Sequence, residues 1–345
     1  MANLKDISRH LGISVTQVSR ALNGHSDVSE QTKERVHAAA KKLGYAVNLS
    51  ARSLVTGQTG LVCVITPGGL AGPEDVASLE TISGLSLEFL ERDLQLAVQI
   101  SPSDVDPLPT YRKAVASRSF DGFVLMGMQS DDVRVPFLQE LGVHFVGHGR
   151  AQPDATHPYF DIDNHAVALA QVDHLTALGH RRIALLNGPD GYAYSAYRLA
   201  GYQEGLAKAG IAFDPSLVVS GRMTEGLGMI ATARLFADAD SSPTALICGD
   251  VPIAKGAYAA LGAMNLDIPN DVSVIAHDDV LMNLRASAFY PSLTVTRSAF
   301  RNSWAPLVSI LQASIAGETS VAQQVVDTSE FIIRASTGPA PKSKN

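Results

Sequence analysis

Cysteine is scarce in this chain of 345 residues: the only two, Cys63 and Cys248, sit inside the apolar runs LVCVI and ALICGD. Neither has the spaced partners of a metal site, so both read as reduced, buried, strand-borne thiols acting as small hydrophobes. Also missing is any run of about 18 uncharged apolar residues, the length a membrane-spanning helix needs. The opening MANLKDISRH is polar and charged where a signal peptide carries an apolar segment, so a cytoplasmic protein with no membrane partner is expected. There is no P-loop, no G-x-S-x-G and no metal-spaced His or Cys set. The acid pairs Asp131-Asp132 and Asp278-Asp279 are adjacent residues that point apart, and neither pair alone can flank a bond. No enzyme chemistry, cofactor or metal is therefore expected. With 46% hydrophobic residues the chain is long enough for two or three ordinary cores.

The net charge of -7 conceals an asymmetry. Residues 1–60 carry eight Lys or Arg against four Asp or Glu, a net +4, which leaves 19 bases and 30 acids, a net -11, for the remainder. A small basic head on an acidic body suits a polyanion binder, because phosphate neutralisation needs clustered cations.

The head reads as three short helices. Asn3 caps the first, with Leu4, Ile7 and Leu11 on one face and Gly12 as its stop. Ser14 caps the second, with Gln17 in the capping-box place, so LGIS is the tight turn of a helix-turn-helix. The third begins at Ser29, buries Val36, Ala40 and Leu43, and ends near Gly44. Val18, Ala21 and Leu22 hold the second helix to the others, which turns Val15, Thr16, Gln17 and Arg20 outward. That end suits a DNA major groove: Arg forks onto guanine, Gln pairs with adenine, and Thr or Val touches a thymine methyl. The plainer alternative is that Gln17 only closes the capping box and Arg20 is a solvated charge.

The order of DISRHLGISVTQVSRALNG, VSEQTKERVHAAAKKLGY and ARSLVTGQTG strongly resembles the head of LacI/GalR-family transcription regulators. The resemblance continues in DIDN, HLTALGHRRIALLNGP, RLAGYQEGL, DIPNDVSVIAHDD and PSLTVTR, over nearly the whole chain. It implies a sequence-specific DNA-binding regulator of sugar-utilisation genes, a homodimer on an inverted-repeat operator, with Ser14, Val15, Thr16, Gln17 and Arg20 at the major groove. In NLSARSL the small and polar residues make a poor isolated helix. The family's hinge helix pairs with its dimer mate there, and Leu54 matches the leucine that wedges into a central base step. Ser50 and Ala51 flank it, Ala51 being small enough for close approach to the minor groove.

Beyond residue 60, GLVCVI, LQLAVQI, DGFVLMG, VHFVGH, RRIALLNG, SLVVSG, TALICGD and VSVIAH alternate with helical stretches. Such alternation folds as doubly wound parallel sheets with ligands at the carboxyl ends of strands. The expected fold is an all-α helix-turn-helix head with a hinge helix, then an α/β body of two lobes like type I periplasmic binding proteins. The expected division is a head at 1–46, a hinge at 47–60, a body at 61–338 and a disordered tail at 339–345. Within the body the resemblance places 61–160 with 292–325 in one lobe and 161–291 with 326–338 in the other.

Polar groups at buried strand ends are unfavourable unless a ligand or partner uses them. In the resemblance, Arg198 matches the arginine that forks onto ligand hydroxyls or carboxylates and Asp278 the acid that accepts from sugar hydroxyls. His148 and Arg150 end VHFVGHGR, and Phe160 lies where an aromatic commonly stacks on a ring; each also has an ordinary structural reading. Asp250 and Asp279 are expected to organise backbone. Departures are visible: Gly249-Asp250 stands for the usual Asn-Asp, TPGGLAGPED lacks the family's aromatics, and HGR replaces Asp-Arg, which is similar to α-glucoside regulators of the family. STGPAPKSKN has no leucine heptad, so a dimer and not a tetramer is expected. The alternatives are a regulator whose ligand is a corepressor and a sugar-binding transport protein.

Overall fold

The computed structural model describes residues 2–22, 27–45, 57–67, 76–101, 106–282 and 284–342. The chain divides into two compact units, Met1–Gly60 and Leu61–Asn345.

The first unit holds helices α1 (Leu4–Leu11), α2 (Val15–Leu22) and α3 (Glu30–Leu43). Each starts where a side chain can take orphan amides. Asn3 and Asp6 form a capping box on α1, whose end is turned by Gly12 at φ 67°. The Ser14 hydroxyl accepts from the Gln17 amide at 3.1 Å while Gln17 Oε1 accepts from the Ser14 amide at 3.3 Å. Ser29 caps α3 and Gly44 ends it in the left-handed conformation. Ile7, Val18, Ala21, Val36, Ala39 and Ala40 form the core of this unit, and Leu4, Leu11, Leu22 and Leu43 pack around it. Helices this short hold only through that shared core.

In the second unit, strands β1 (Leu61–Pro67), β2 (Gln95–Ser101), β3 (Gly122–Leu125), β4 (Phe145–His148), β5 (Tyr159–Ile162) and β11 (Gln324–Asp327) form one sheet in the order β11-β5-β4-β3-β1-β2. The other, in the order β12-β10-β9-β8-β6-β7, takes β6 (Ile183–Asn187), β7 (Val218–Ser220), β8 (Ala245–Cys248), β9 (Ser273–Asp278), β10 (Thr294–Arg297) and β12 (Glu330–Ile332). All pairings are parallel except β10 with β12.

Helices cover both faces of each sheet, which is why most of the central strands read as unbroken apolar runs. In the first lobe, α4 (Val76–Leu90) and α11 (Trp304–Ala316) meet Val62, Val64, Val124, Val146 and Phe160. On the opposite face, α5 (Leu108–Ala116) and α6 (Arg134–Glu140) meet Cys63, Phe123, Leu125 and Phe145. In the second lobe, α7 (Asn164–Ala177) and α8 (Ala193–Lys208) cover Ile183, Leu185, Ala245 and Ile275. Its other face packs α9 (Glu225–Leu235) and α10 (Val251–Ala263) on Leu186, Leu246, Val274 and Val295. Both cysteines are buried and free, and burial pushes the Cys63 thiol up to about 12.

Three expectations need correction. Residues 294–297, placed with the first lobe, pair in the second sheet, because PSLTVTR continues the second lobe's core through Leu293 and Val295 before the chain crosses. β11 likewise keeps residues 326–327 in the first sheet, and β12 adds an antiparallel edge. The tail is ordered at its start, where the Ala340 amide donates to the Leu178 carbonyl at 2.9 Å. Among the described residues no helix is long and apolar enough to cross a membrane.

Candidate DNA-reading surface and effector cleft

In the first unit, Ser14, Val15, Thr16, Gln17 and Arg20 are all exposed at one side of α2, while Val18 and Ala21 are fully buried. The Gln17 amide group is engaged in the capping box, and Arg20 pairs with Asp27 at 2.6 Å with both side chains about half exposed. The capping box is the plainer role foreseen for Gln17, whereas Arg20, foreseen there as a solvated charge, is ion-paired; neither contact consumes the outward surface. Ser50, Ala51 and Leu54 lie outside the described residues.

In the second unit, polar groups converge at the carboxyl ends of β6, β8 and β9. This is the point in a doubly wound sheet where strand order reverses and ligands bind. Arg198, one turn into α8, is buried; its Nε donates to Asn164 Oδ1 at 2.9 Å and its Nη1 to the Gly249 carbonyl at 2.5 Å, with Tyr194 beneath the guanidinium at 5.5 Å. Asp250 caps α10 by accepting from the Ile253 amide at 2.8 Å. Burial, aided by Asp279 and opposed by that amide and Arg198, pushes its carboxyl up to about 8. Asp278 is also raised, first by burial, and its Oδ1 accepts from the Val280 amide at 2.8 Å. Asn187 Oδ1 is a buried atom without a hydrogen-bond partner, which marks the region as one able to take a donor from outside.

The first lobe faces this set. His148 ends β4 with its ring 6.0 Å from Phe300, and burial lowers it to about 4 against the opposing charge of Asp279. Arg150 joins the lobes: it pairs with Asp161 at 3.1 Å and lies over the Tyr197 ring of α8 at 5.1 Å. Gln129 and Tyr192 form an antiparallel bridge between lobes, flanked by amide–carbonyl bonds from Ser130 to Gly191 and from Ala193 to Met128. The buried Asp132–Arg134 pair fixes that loop, with Arg134 also donating to the Met126 and Gly127 carbonyls. Among the described residues no set of three His, Cys, Asp or Glu is placed to hold a metal.

Two hollows lie elsewhere. One of about 630 Å³, beside His180 and Arg181, is at the amino end of β6, away from the convergent groups. The other, about 360 Å³, adjoins the crossings at Arg297–Asn302 and Asp327–Thr328.

A family model described as bacterial regulatory proteins, lacI family, matches residues 3–48, and one described as periplasmic binding protein-like domain matches 172–337. The HTH-type transcriptional regulator AglR of Rhizobium meliloti (strain 1021) is 36% identical over 340 residues, 98% of this chain and 95% of that protein. The chain belongs to the LacI family. This LacI-family chain is a DNA-binding transcription regulator with a helix-turn-helix head and a two-lobed body. The structure of a transcriptional regulator CelR–cellobiose complex is 27% identical, covering 97% of this chain and all of that one, with a TM-score of 0.69. The lac repressor dimer bound to operator and the anti-inducer ONPF shares the fold at a TM-score of 0.77, with 23% identity over 98% of this chain and 99% of that one.

Of the cleft residues read from the LacI-family sequence, Arg198 interacts with Asp250, His148 and Asp250 both with Asp279, and Asp278 adjoins Asp279. Arg150 lies beside them as a lobe-joining residue. Phe160 does not belong. On β5 it points into the layer under α11 and is 4% exposed, packed in the first lobe's core, so it has no face to offer a ring. The aromatic at the cleft is Phe300, half-buried against His148, its amide donating to the Asp279 carbonyl at 3.1 Å. Its setting, RSAFRN, has no apolar periodicity to single it out, although it follows the PSLTVTR motif by three residues. Tyr194 and Asn187 were also missed; YAYSAYR does announce aromatics one turn before Arg198.

Proposed function

We propose that this regulator is a cytoplasmic, homodimeric repressor of sugar-utilisation genes, released from an inverted-repeat operator by a small carbohydrate, a glucoside, bound between the lobes. The observation that carries the reading is the meeting of Arg198, Asp250 and Asp279, with Asp278 adjoining, and the unpartnered Asn187 Oδ1 at one strand-end cleft, opposite His148 and Phe300. Hydroxyl-rich ligands need charged donors and acceptors together, with an apolar edge for the ring. The CelR–cellobiose complex, a related fold holding a disaccharide, supports the same class. Leu79, Leu87 and Leu90 on α4 and Val98 and Ile100 on the edge strand β2 are exposed apolar residues suited to a second copy. Val15, Thr16, Gln17 and Arg20 read the major groove, while Ser50, Ala51 and Leu54 serve the central minor-groove step. No residue is assigned to catalysis.

The chemistry of release follows from linkage. A carbohydrate shifts the equilibrium only by its differential affinity, and moving from 1% to 99% released takes about 5.5 kcal/mol. The test is a thermal-shift screen with cellobiose, maltose and other glucosides, followed by operator release with whichever binds. A ligand at 100 times its Kd raises stability by about 2.7 kcal/mol. Arg198→Ala and Asp278→Asn should abolish release while operator binding persists. Release of both variants at the wild-type sugar concentration would refute the cleft assignment. Operator affinity that rises with sugar would make the ligand a corepressor.

A further inference from the structure

The segment Asp278–Met282 places three features in succession between the cleft and the opposite lobe. Asp278 ends β9 with its carboxylate buried and bonded to the Val280 amide at 2.8 Å. Val280 then takes φ 59°, a left-handed conformation that crowds the Cβ of an L-residue and most of all a branched one. Two residues on, the Met282 amide donates to Glu80 Oε1 at 2.7 Å, and Glu80 belongs to α4 of the first lobe. The Met282 side chain itself is 79% exposed, so the attachment is made by backbone and needs only the acceptor at position 80. The carbonyls of Asp278 and Asp279 meanwhile accept from Ser298 and Phe300 on the crossing segment, each at 3.1 Å.

We propose that the Glu80 carboxylate and the Met282 amide form a cross-lobe latch, and that the strained Val280 turn couples it to ligand binding at Asp278. This rests on the reading of the cleft as the effector site. The turn is rigidly tied at both ends, to Asp278 by a side-chain bond and to Glu80 across the lobes. A ligand that fixes Asp278 therefore also fixes the position of the Met282 amide. The reverse holds by reciprocity of coupled equilibria: whatever steadies the latch pre-orders Asp278 for ligand. Strain at Val280 opposes the latched arrangement, so the latch is a poised element whose balance one side chain on each lobe can tip.

Three variants test this. Glu80→Ala removes the acceptor and should weaken binding of cellobiose or maltose, whichever the wild type binds, by about fivefold, the worth of one such hydrogen bond. Glu80→Gln keeps an oxygen in the same place and should bind within about twofold of wild type. Val280→Gly takes the left-handed conformation without the Cβ clash and should bind several-fold tighter. Hydrogen exchange of the peptide spanning 279–290, measured without sugar, should be faster in Glu80→Ala and slower in Val280→Gly. Unchanged exchange in Glu80→Ala, or Glu80→Gln as impaired as Glu80→Ala, refutes the latch. Weaker binding by Val280→Gly refutes the role of strain. If no glucoside of the panel binds the wild type, the carbohydrate reading fails, and the exchange measurement still decides the latch.

Discussion

Two phenylalanines separate core from cleft, and truncating each in turn tests the assignment. Phe160 is 4% exposed and packs with Val146, Leu307 and Leu311 between β5 and α11. Removing its ring leaves a cavity in a sheet–helix layer whose backbone is pinned by β4 and β11 on either side, so relaxation is limited. Phe→Ala changes in such layers cost about 3–5 kcal/mol. For a body of this size about 1 kcal/mol moves Tm by roughly 2–4 °C, so Phe160→Ala should lower the melting temperature by roughly 6–20 °C. Its sugar response, measured as the further rise in Tm on adding ligand, should survive. Phe300 is half-buried and shares its face with His148, so Phe300→Ala should lose only a few degrees while losing most of the sugar-dependent rise. Differential scanning fluorimetry with and without sugar reads both quantities. A Phe160→Ala protein that melts within about 2 °C of wild type yet no longer responds to sugar would overturn the reasoning and return Phe160 to the cleft.

Arg20→Ala breaks only an exposed pair with Asp27, so its effect on stability should stay under about 1 kcal/mol. Its operator affinity should fall by about 1–3 kcal/mol with relaxed preference at one base pair per half-site, by fluorescence anisotropy; equal loss on random DNA would demote it to a phosphate contact. Asp250, whose carboxyl burial raises to about 8 in the native chain, holds a proton that the unfolded chain has released across the interval from about 4 to 8. The stability this group contributes is thus present below that interval and lost as pH rises through it. Asp250→Asn keeps the cap on Ile253 and removes the titration, so its Tm should gain on wild type between pH 5 and pH 8.5; parallel curves would contradict the shift.

What the sequence made legible was whatever a local rule governs. Asn3, Ser14 and Ser29 announce helix starts, and Gly12 and Gly44 announce ends, because capping is settled within four residues. Eight strands, β1 to β4 and β6 to β9, lie within apolar runs and so stand out. β5, β11 and β12 are three or four residues long and polar in part, and only pairing across the sheet makes them strands. The resemblance misled at Phe160: PYFDI does not reveal which face the neighbouring helix covers, and α11 arrives from residues 304–316. Arg198 and Asp278 came from motif matching. The Arg198 partners Asn164 and Gly249 lie 34 and 51 residues away in the chain, and Glu80 lies 202 residues from Met282, beyond any window of periodicity.

The interleaving of the body has a consequence for how such chains can be recombined. Its lobes exchange the chain around residues 163, 298–303 and 328–329, so neither is a contiguous stretch of gene. A single breakpoint inside the body splits a sheet or strands a helix from its layer, and a chimera made there must match three junctions at once. Between residues 60 and 61 the polypeptide passes from one unit to the other a single time. New operator preferences can therefore be grafted by one crossover, whereas new ligand preferences have to be reached by substitution within an indivisible two-lobed body.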